Sequence, residues 1–329
     1  MSNSNNEIDI QDTFSQATFA ETPEQKEKLA PGKPRLTWRF WVLMGAPYCV
    51  FLWIIASSLY QIAQYHFVHR HLPDIVAAAR SGTIENVQYH LKNGADIHVK
   101  DEHGSTLLHQ AARFNQNVEV AKFLVAEGLD IHAQDRFGGT PLHGAGSVDV
   151  ARFLVSKGAD IHAKNGIGCT PLHQVAHFIE NVAVTEFLVA EGADVNAKNN
   201  ISDTPLRNAA MNKNVNVTKF LVSQGADIHA TDRAGDTPLY WASTFNTNID
   251  VVKFLISQGA DVNAKGRWGG TPLHGAAMYN KNVNVAQFLV SQGADANAKN
   301  KDGRTPLDLA KEKENTAMVE YLSGITNGD

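Results

Sequence analysis

The stretch TPLHGAAMYNKNVNVAQFLVSQGADANAKN, residues 271–300, contains the pattern that decides the fold. Its first four letters recur with variation as TLLH at 106, TPLH at 140 and 170, TPLR at 204, TPLY at 237 and TPLD at 305. A GAD or GLD marker runs in phase at 94, 128, 158, 192, 225, 259 and 293. A period of 30–34 residues predicts a solenoid of similar, stacked units.

The letters of each unit predict two short helices. Thr140 can cap a helix by accepting backbone N–H groups, and Pro141 suits the first helical position, where a missing N–H is no loss. A second helix is indicated by apolar residues at helical spacing, as in VEVAKFLV at 118–125. Gly128 then ends that helix, because glycine adopts the left-handed conformation without strain.

This pattern resembles the ankyrin repeat, whose signature is T-P-L-H-x-A-A with G-A-D-V-N at the end of the unit. The resemblance covers about residues 73–322. It implies an all-α ankyrin-repeat solenoid of about eight stacked helix–turn–helix units. We expect the repeat domain to span 73–329, and the segments 73–104 and 305–322 resemble its N-terminal and C-terminal caps.

The unit that begins at Thr140 departs from the others because it is four residues short. It has GAGSVDV where the preceding unit has QAARFNQNVEV, so its first helix should be clipped near Gly144 and Gly146. Each unit of a solenoid contacts only its neighbours. We therefore expect a less stable joint at this unit.

The N-terminal residues predict a tail followed by a membrane anchor. Residues 1–35 are polar and sparsely apolar, which is typical of a disordered segment. Phe40–Tyr60 is a run of 21 residues without a charge, long enough for a helix to cross a bilayer. We expect a single transmembrane helix within 36–65, because the 39 residues that precede the run are too long for a signal peptide.

The charges on either side of the apolar run predict an orientation. Residues 25–39 contain five cations, whereas 61–77 contain only Arg70. The positive-inside rule then puts the N-terminus in the cytoplasm and the repeats on the far side, whether periplasmic, luminal or extracellular. Cytoplasmic repeats are the alternative.

The composition excludes several classes of function. With 29 basic and 34 acidic residues the chain has a net charge of −5, which does not favour nucleic acid as a partner. Its two cysteines cannot form a disulfide framework. The sequence contains no nucleophile, phosphate-loop or metalloprotease motif, so we expect no catalytic residue, no cofactor and no small-molecule substrate.

Fourteen histidines invite a metal or acid–base hypothesis. Eight of them occupy repeated positions, either the TPLH slot, where the resemblance implies a structural role, or the turn after GAD: His109, His143, His173 and His274, and His98, His132, His162 and His229. The best remaining cluster is His66, His69 and His71, but no nearby cysteine or acidic ligand completes a zinc site. We expect no bound metal.

The resemblance implies that another protein binds to the turn tips and to the exposed face of the first helices. The side chains at these positions are apolar or cationic, types that are common in interface hot spots: Arg136, Phe137, Ile167, Ile201, Arg233, Arg267 and Trp268 at the tips and Tyr279 at a helix end. Phe114, Phe178 and Phe245 occupy helix ends like that of Tyr279, and burial under the helix–helix elbow is an equal alternative for all four.

The sequence thus predicts a membrane-anchored module for protein–protein interaction. Two alternatives stay open. One is an enzyme or metal protein that uses histidine and acidic residues of the concave face, and the other is a passive envelope scaffold.

Overall fold

The computed structural model describes residues 75–326. Within that range the chain forms fifteen α-helices and one 3-10 helix, which pair into eight repeats, and no β-strand. The pairs, numbered repeats 1 to 8, are Ile75–Ser81 with Ile84–Lys92, Leu107–Phe114 with Val118–Ala126, Pro141–Gly144 (the 3-10 helix) with Val148–Ser156, Pro171–Phe178 with Val182–Ala190, Pro205–Ala209 with Val215–Ser223, Pro238–Phe245 with Ile249–Ser257, Pro272–Tyr279 with Val283–Ser291, and Pro306–Glu312 with Thr316–Thr326.

Local signals set the ends of these helices. Thr204 caps a first helix, since its side chain accepts from the backbone N–H of Arg207. Asn214 caps the following second helix in the same way through the N–H of Asn216. Gly192 follows a second helix with φ 100°, the left-handed conformation expected of the GAD glycine.

Leucine side chains form the centre of the hydrophobic core. From repeat 2 to repeat 7 the leucine of the TPL motif and a leucine of the second helix are both fully buried, as Leu239 and Leu255 show in repeat 6. Each such side chain contributes about 2 kcal/mol through removal of its apolar surface from water. Because they pack between successive repeats, the stack itself supplies the core.

Asparagines at the elbows bond to the end of the first helix and to the elbow of the preceding repeat. Asn246 Nδ2 donates to the carbonyl oxygens of Ala210 and Asn212, at 2.9 and 2.8 Å, and its side chain is 2% exposed. Equivalent pairs of bonds come from four other asparagines: Asn115, Asn212, Asn280 and Asn315. The asparagine is thus part of the elbow segment that joins the two helices.

Repeats 3 and 4 lack this link. Repeat 3 has only four residues in its first helix, as its short sequence predicts, and its Gly146 N–H donates to Ala112 O at 2.9 Å. A Cβ at Gly146 would lie 2.5 Å from Arg113 O, so glycine is required for this close approach. Repeat 4 has Ile179 at its elbow, which donates only its backbone N–H, to Val175 of the same helix.

Several expectations concern residues outside the described range. The predicted tail 1–35, the predicted span Phe40–Tyr60 and the cluster of His66, His69 and His71 all precede Ile75. Between residues 75 and 326 no helix is both long and apolar enough to cross a membrane.

Candidate functional site

The turns between repeats are joined tip to tip by backbone hydrogen bonds. Arg233 N–H donates to Ile201 O at 2.8 Å, and Lys301 N–H donates to Trp268 O at 2.9 Å. The same bond joins each of the other successive tips from His103 to Trp268. This tip ladder fixes the spacing of the tip side chains at one per repeat.

Side-chain bonds hold most of the turns from within. Asp135 Oδ1 accepts from the N–H groups of Phe137 and Gly139, at 2.9 and 2.8 Å. Asp or Asn makes the same pair of bonds in five other turns that precede Thr anchors: Asp101, Asn165, Asn199, Asp232 and Asn300. A carboxylate in this position faces the turn backbone rather than solvent.

The tips present a row of exposed apolar side chains. Phe137 is 62% exposed, Ile167 57%, Ile201 45% and Trp268 69%. Ala234 occupies the equivalent tip between Ile201 and Trp268, so five successive tips are apolar. Ala234 is small and only part-exposed, but the four larger side chains along one edge of the array mark an interaction surface more often than a solvated one.

One pocket brings together four of the residues that the sequence singles out. It has a volume of about 350 Å³ and lies across repeats 5 to 7. Its walls combine cationic, aromatic and apolar side chains with one carboxylate: Ile201, Arg233, Arg267 and Trp268, with Arg207, Asp232, Ala234 and Trp241. Arg136, Phe137, Ile167 and Tyr279 are not part of it.

The floor of this pocket is built around the Trp241 indole. The Arg207 guanidinium carbon lies 3.8 Å from the centre of the Trp241 ring, a cation–π contact. Trp241 Nε1 donates to Asp232 Oδ2 at 2.8 Å, while Asp232 Oδ1 accepts from two turn N–H groups. Arg207 Nε is also 3.4 Å from Asp203 Oδ1, an ion pair with both side chains largely buried. These contacts hold the indole and the guanidinium in fixed orientations.

Sequence reasoning missed the floor residues, although a signal exists. The TPLH histidine is replaced by Arg207 and by Tyr240 in two successive repeats, and Trp241 follows directly. Where histidine is present it bonds to the next repeat, as His173 Nε2 does to Asp203 O at 3.0 Å. The replacement of this histidine in two successive repeats therefore indicates where the side chains of the first helices make different contacts, and this is where the pocket lies.

Asp236 lies beside the pocket, against the turn that presents Trp268. Gly266 stands where other turns have Asp or Asn, and a side chain there would collide with the Asp236 carboxylate. Burial, together with the negative charge of Asp232, raises the pKa of Asp236 to about 7, while Arg207 opposes the shift. The Trp268 turn thus lacks the inner side-chain bonds of its neighbours.

An aromatic stack continues from the pocket along the first helices. The rings of Trp241 and Phe245 are 5.6 Å apart, and those of Phe245 and Tyr279 are 5.8 Å apart, both nearly parallel. Lys313 Nζ lies 5.6 Å from the centre of the Tyr279 ring. Tyr279 is 49% exposed and Phe245 is half-buried, so only the former is freely accessible.

The short repeat 3 leaves a gap that an arginine crosses. Phe114 in repeat 2 and Phe178 in repeat 4 are 39% and 57% exposed. The Arg113 guanidinium carbon lies 5.3 Å from the centre of the first ring and 5.7 Å from that of the second. A Cβ at Gly144 would lie 3.4 Å from the Arg113 side chain, an ordinary contact distance, so Arg113 packs directly over repeat 3.

The four histidines of the TPLH slot are structural groups with both ring nitrogens engaged. His173 Nδ1 accepts from the N–H of Thr170 at 3.2 Å, which assigns the Nε2 proton to the bond with the next repeat. Burial lowers the pKa of His173, and it does the same for His109, His143 and His274. Among residues 75–326 no three His, Cys, Asp or Glu side chains are placed to hold a metal ion.

Cys169 is buried rather than poised for reaction. Its side chain is 3% exposed, and Asn199 Nδ2 donates to its sulfur at 3.2 Å. Burial raises the pKa of the thiol, which lowers the fraction of the reactive thiolate at neutral pH.

The fold and the tips define a class of protein: a helical repeat array that presents side chains on its turns. The family described as ankyrin repeats (3 copies) matches residues 75–165, 172–266 and 263–328, and that described as ankyrin repeats (many copies) matches 143–189. The chain belongs to the ankyrin-repeat family. Ankyrin repeats generally mediate protein–protein interaction and are typically non-enzymatic. The curated proteins contain no significant match to the chain.

Proposed function

We propose that the chain is a membrane-anchored module that binds a partner protein through its turn tips and the exposed face of its first helices. The row of exposed apolar tips carries this proposal. Phe137 and Trp268, at 62% and 69% exposure, are large aromatic side chains that touch little of their own protein. Aromatic side chains at fixed positions bind partners at a low entropic cost, which is why they dominate interface hot spots.

Quantitative capture of a partner from lysate tests this role. Trp268→Ala or Phe137→Ala should weaken capture by about 1–3 kcal/mol, which is about 5- to 150-fold in affinity. Tyr89→Ala is the matched control, because Tyr89 is also an exposed aromatic, at 40%, but lies on a second helix. Thermal unfolding should change little in all three variants. Unchanged capture by both tip variants would contradict the proposal, and so would unfolding of either.

The anchor part of the proposal rests on the sequence of the N-terminal residues. We assign the tail to 1–35, the anchor to 36–65 and the repeat domain to 73–329, with caps at 73–104 and 305–322. The five cations of residues 25–39 favour a cytoplasmic N-terminus, which puts the repeats on the far side of the membrane.

Protease added outside intact cells or spheroplasts tests this topology. The repeats should be digested, while a tag on residue 1 should remain protected. Protected repeats would instead place the array in the cytoplasm and would contradict the orientation.

A further inference from the structure

A column of cations runs beside the apolar tips. The residue whose N–H donates in the tip ladder is Arg136, Arg233, Arg267 or Lys301 in four of the turns, and all four side chains are exposed. None of them makes an ion pair within the part of the chain that the structure describes. The array as a whole is acidic, with 23 Lys and Arg against 28 Asp and Glu over 73–329. An unpaired cationic column is therefore a local feature.

The carboxylates near this column do not neutralise it from outside. Asp232 accepts from two backbone N–H groups with one oxygen and from Trp241 with the other. Asp135 likewise accepts from two N–H groups of its own turn. Acidic side chains thus hold these turns from within. The exposed carboxylate of Asp302, beside Lys301, is paired with Arg304 at 2.8 Å, so the cations of the column keep their charge unpaired.

The pocket adds an apolar anchor point between two of these cations. Arg233 and Arg267 both line it, and Ile201, Trp241 and Trp268 supply apolar and aromatic walls. An aliphatic or aromatic side chain placed there would contact both indoles. Carboxylates of the bound segment on either side of that side chain would lie within reach of the guanidinium groups of Arg233 and Arg267. The charges of the pocket therefore favour an anionic segment over a cationic one.

The distance between tips sets the sequence period of such a segment. Packed helices are about 8–10 Å apart, so successive tips repeat at about that distance. A chain in the extended polyproline II conformation has three residues per turn and advances about 3.1 Å per residue, so every third side chain points the same way and three residues span one repeat. A segment that meets Ile201, Ala234 and Trp268 in turn therefore carries an apolar side chain at every third position.

We propose that the tips of repeats 5 to 8 bind an extended acidic segment of a partner protein, about nine residues long, with apolar side chains at every third position. Its carboxylates contact Arg233, Arg267 and Lys301, and one of its apolar side chains fills the pocket beside Trp268. This inference rests on the proposed function, because it specifies the partner of the same tip surface.

Fluorescence anisotropy with a labelled peptide tests the inference on the full chain in micelles of an uncharged detergent. The probe is a nine-residue peptide made of three Glu-Asp-Leu triplets. One control peptide has the same composition with its leucines adjacent, and another has three Lys-Lys-Leu triplets. The protein variants are the pair Arg233→Ala with Arg267→Ala, and Arg152→Ala, which removes an exposed arginine from a second helix.

The acidic triplet peptide should bind at least about tenfold more tightly than either control peptide, and added salt should weaken it. The double variant should lose about tenfold in affinity, whereas Arg152→Ala should bind as the natural chain does. No binding below about 1 mM, equal binding of a control peptide, or an unaffected double variant would overturn the inference. If Trp268→Ala still weakened capture in that event, the partner would not be acidic but the proposed function would stand.

Discussion

Replacement of Asn246 by alanine should destabilise the array by about 3 kcal/mol. The Asn246 side chain is 2% exposed, donates to the carbonyls of Ala210 and Asn212 and accepts from the N–H of Asn248. Three hydrogen bonds at about 1 kcal/mol each give this value. The decrease in the free energy of unfolding should not be smaller than this, because the two carbonyl groups left unpaired are buried and cannot bond to bulk water instead.

Asn263→Ala is the matched control. Asn263 also bonds to the following repeat, through Gly293 O at 2.8 Å and the N–H of Asp295 at 3.0 Å, but these bonds are exposed to water. Its loss should stay below about 1 kcal/mol, since water replaces the missing partner. Urea unfolding of residues 73–329, followed by circular dichroism at constant pH, measures both values. A loss for Asn246→Ala no larger than that for Asn263→Ala would refute the assignment of the elbow asparagines as inter-repeat links.

Three further predictions concern pH and local stability. The histidines of the TPLH slot have lowered pKa values in the folded chain, so the unfolded chain takes up protons first as the pH falls. The free energy of unfolding, measured by urea titration, should therefore decrease below pH 6.5. It should decrease less in a His173→Gln variant. Asp236 gives the opposite pH dependence. Its pKa is raised to about 7, so the folded chain keeps this proton longer than the unfolded chain and the free energy of unfolding falls as the pH rises from about 4 to 7. At pH 8 the free energy of unfolding of Asp236→Asn should therefore exceed that of the natural chain, by about 1 kcal/mol once solvent screening of this half-buried group is allowed for. A difference between the two chains that is the same at pH 4 as at pH 8 would contradict the shift. Hydrogen exchange should be faster at residues 140–155 than at 274–290, because repeat 3 has a four-residue first helix and no elbow asparagine. Equal protection of the two segments would contradict the expectation that repeat 3 is a less stable joint.

The array could be predicted from sequence because its signals are local and repeated. Each Thr anchor specifies a helix start, each GAD glycine a helix end, and the regular period assigns both to one architecture. The exposure of Phe137 and Trp268 followed from their position in the repeat, since a turn tip has no core to enter.

The floor of the pocket could not be found in this way. Arg207, Asp232 and Trp241 meet across two repeats. Arg207 departs from the TPLH histidine, whereas Asp232 occupies the ordinary Asp or Asn position of its turn, and nothing in its letter shows that it bonds to Trp241. The elbow asparagines show a related limit. The asparagines themselves can be read in the sequence, but their bonding partners lie 33–38 residues earlier, and only the stacked structure brings the two together.

The tip ladder uses only backbone atoms, so the residues that determine binding specificity can change in evolution without changing the bonds that hold the turns together. Substitution at a tip such as Phe137 or Ile167 alters no bond of the ladder, because the N–H and C=O groups that form it are common to nearly all residue types. New side chains can therefore accumulate at one turn at a time, each tried by selection or by a protein engineer against a scaffold that does not change. The Arg-aromatic-Gly-Gly string, present at both 136–139 and 267–270, shows that the same solution can stand at two turns of one array.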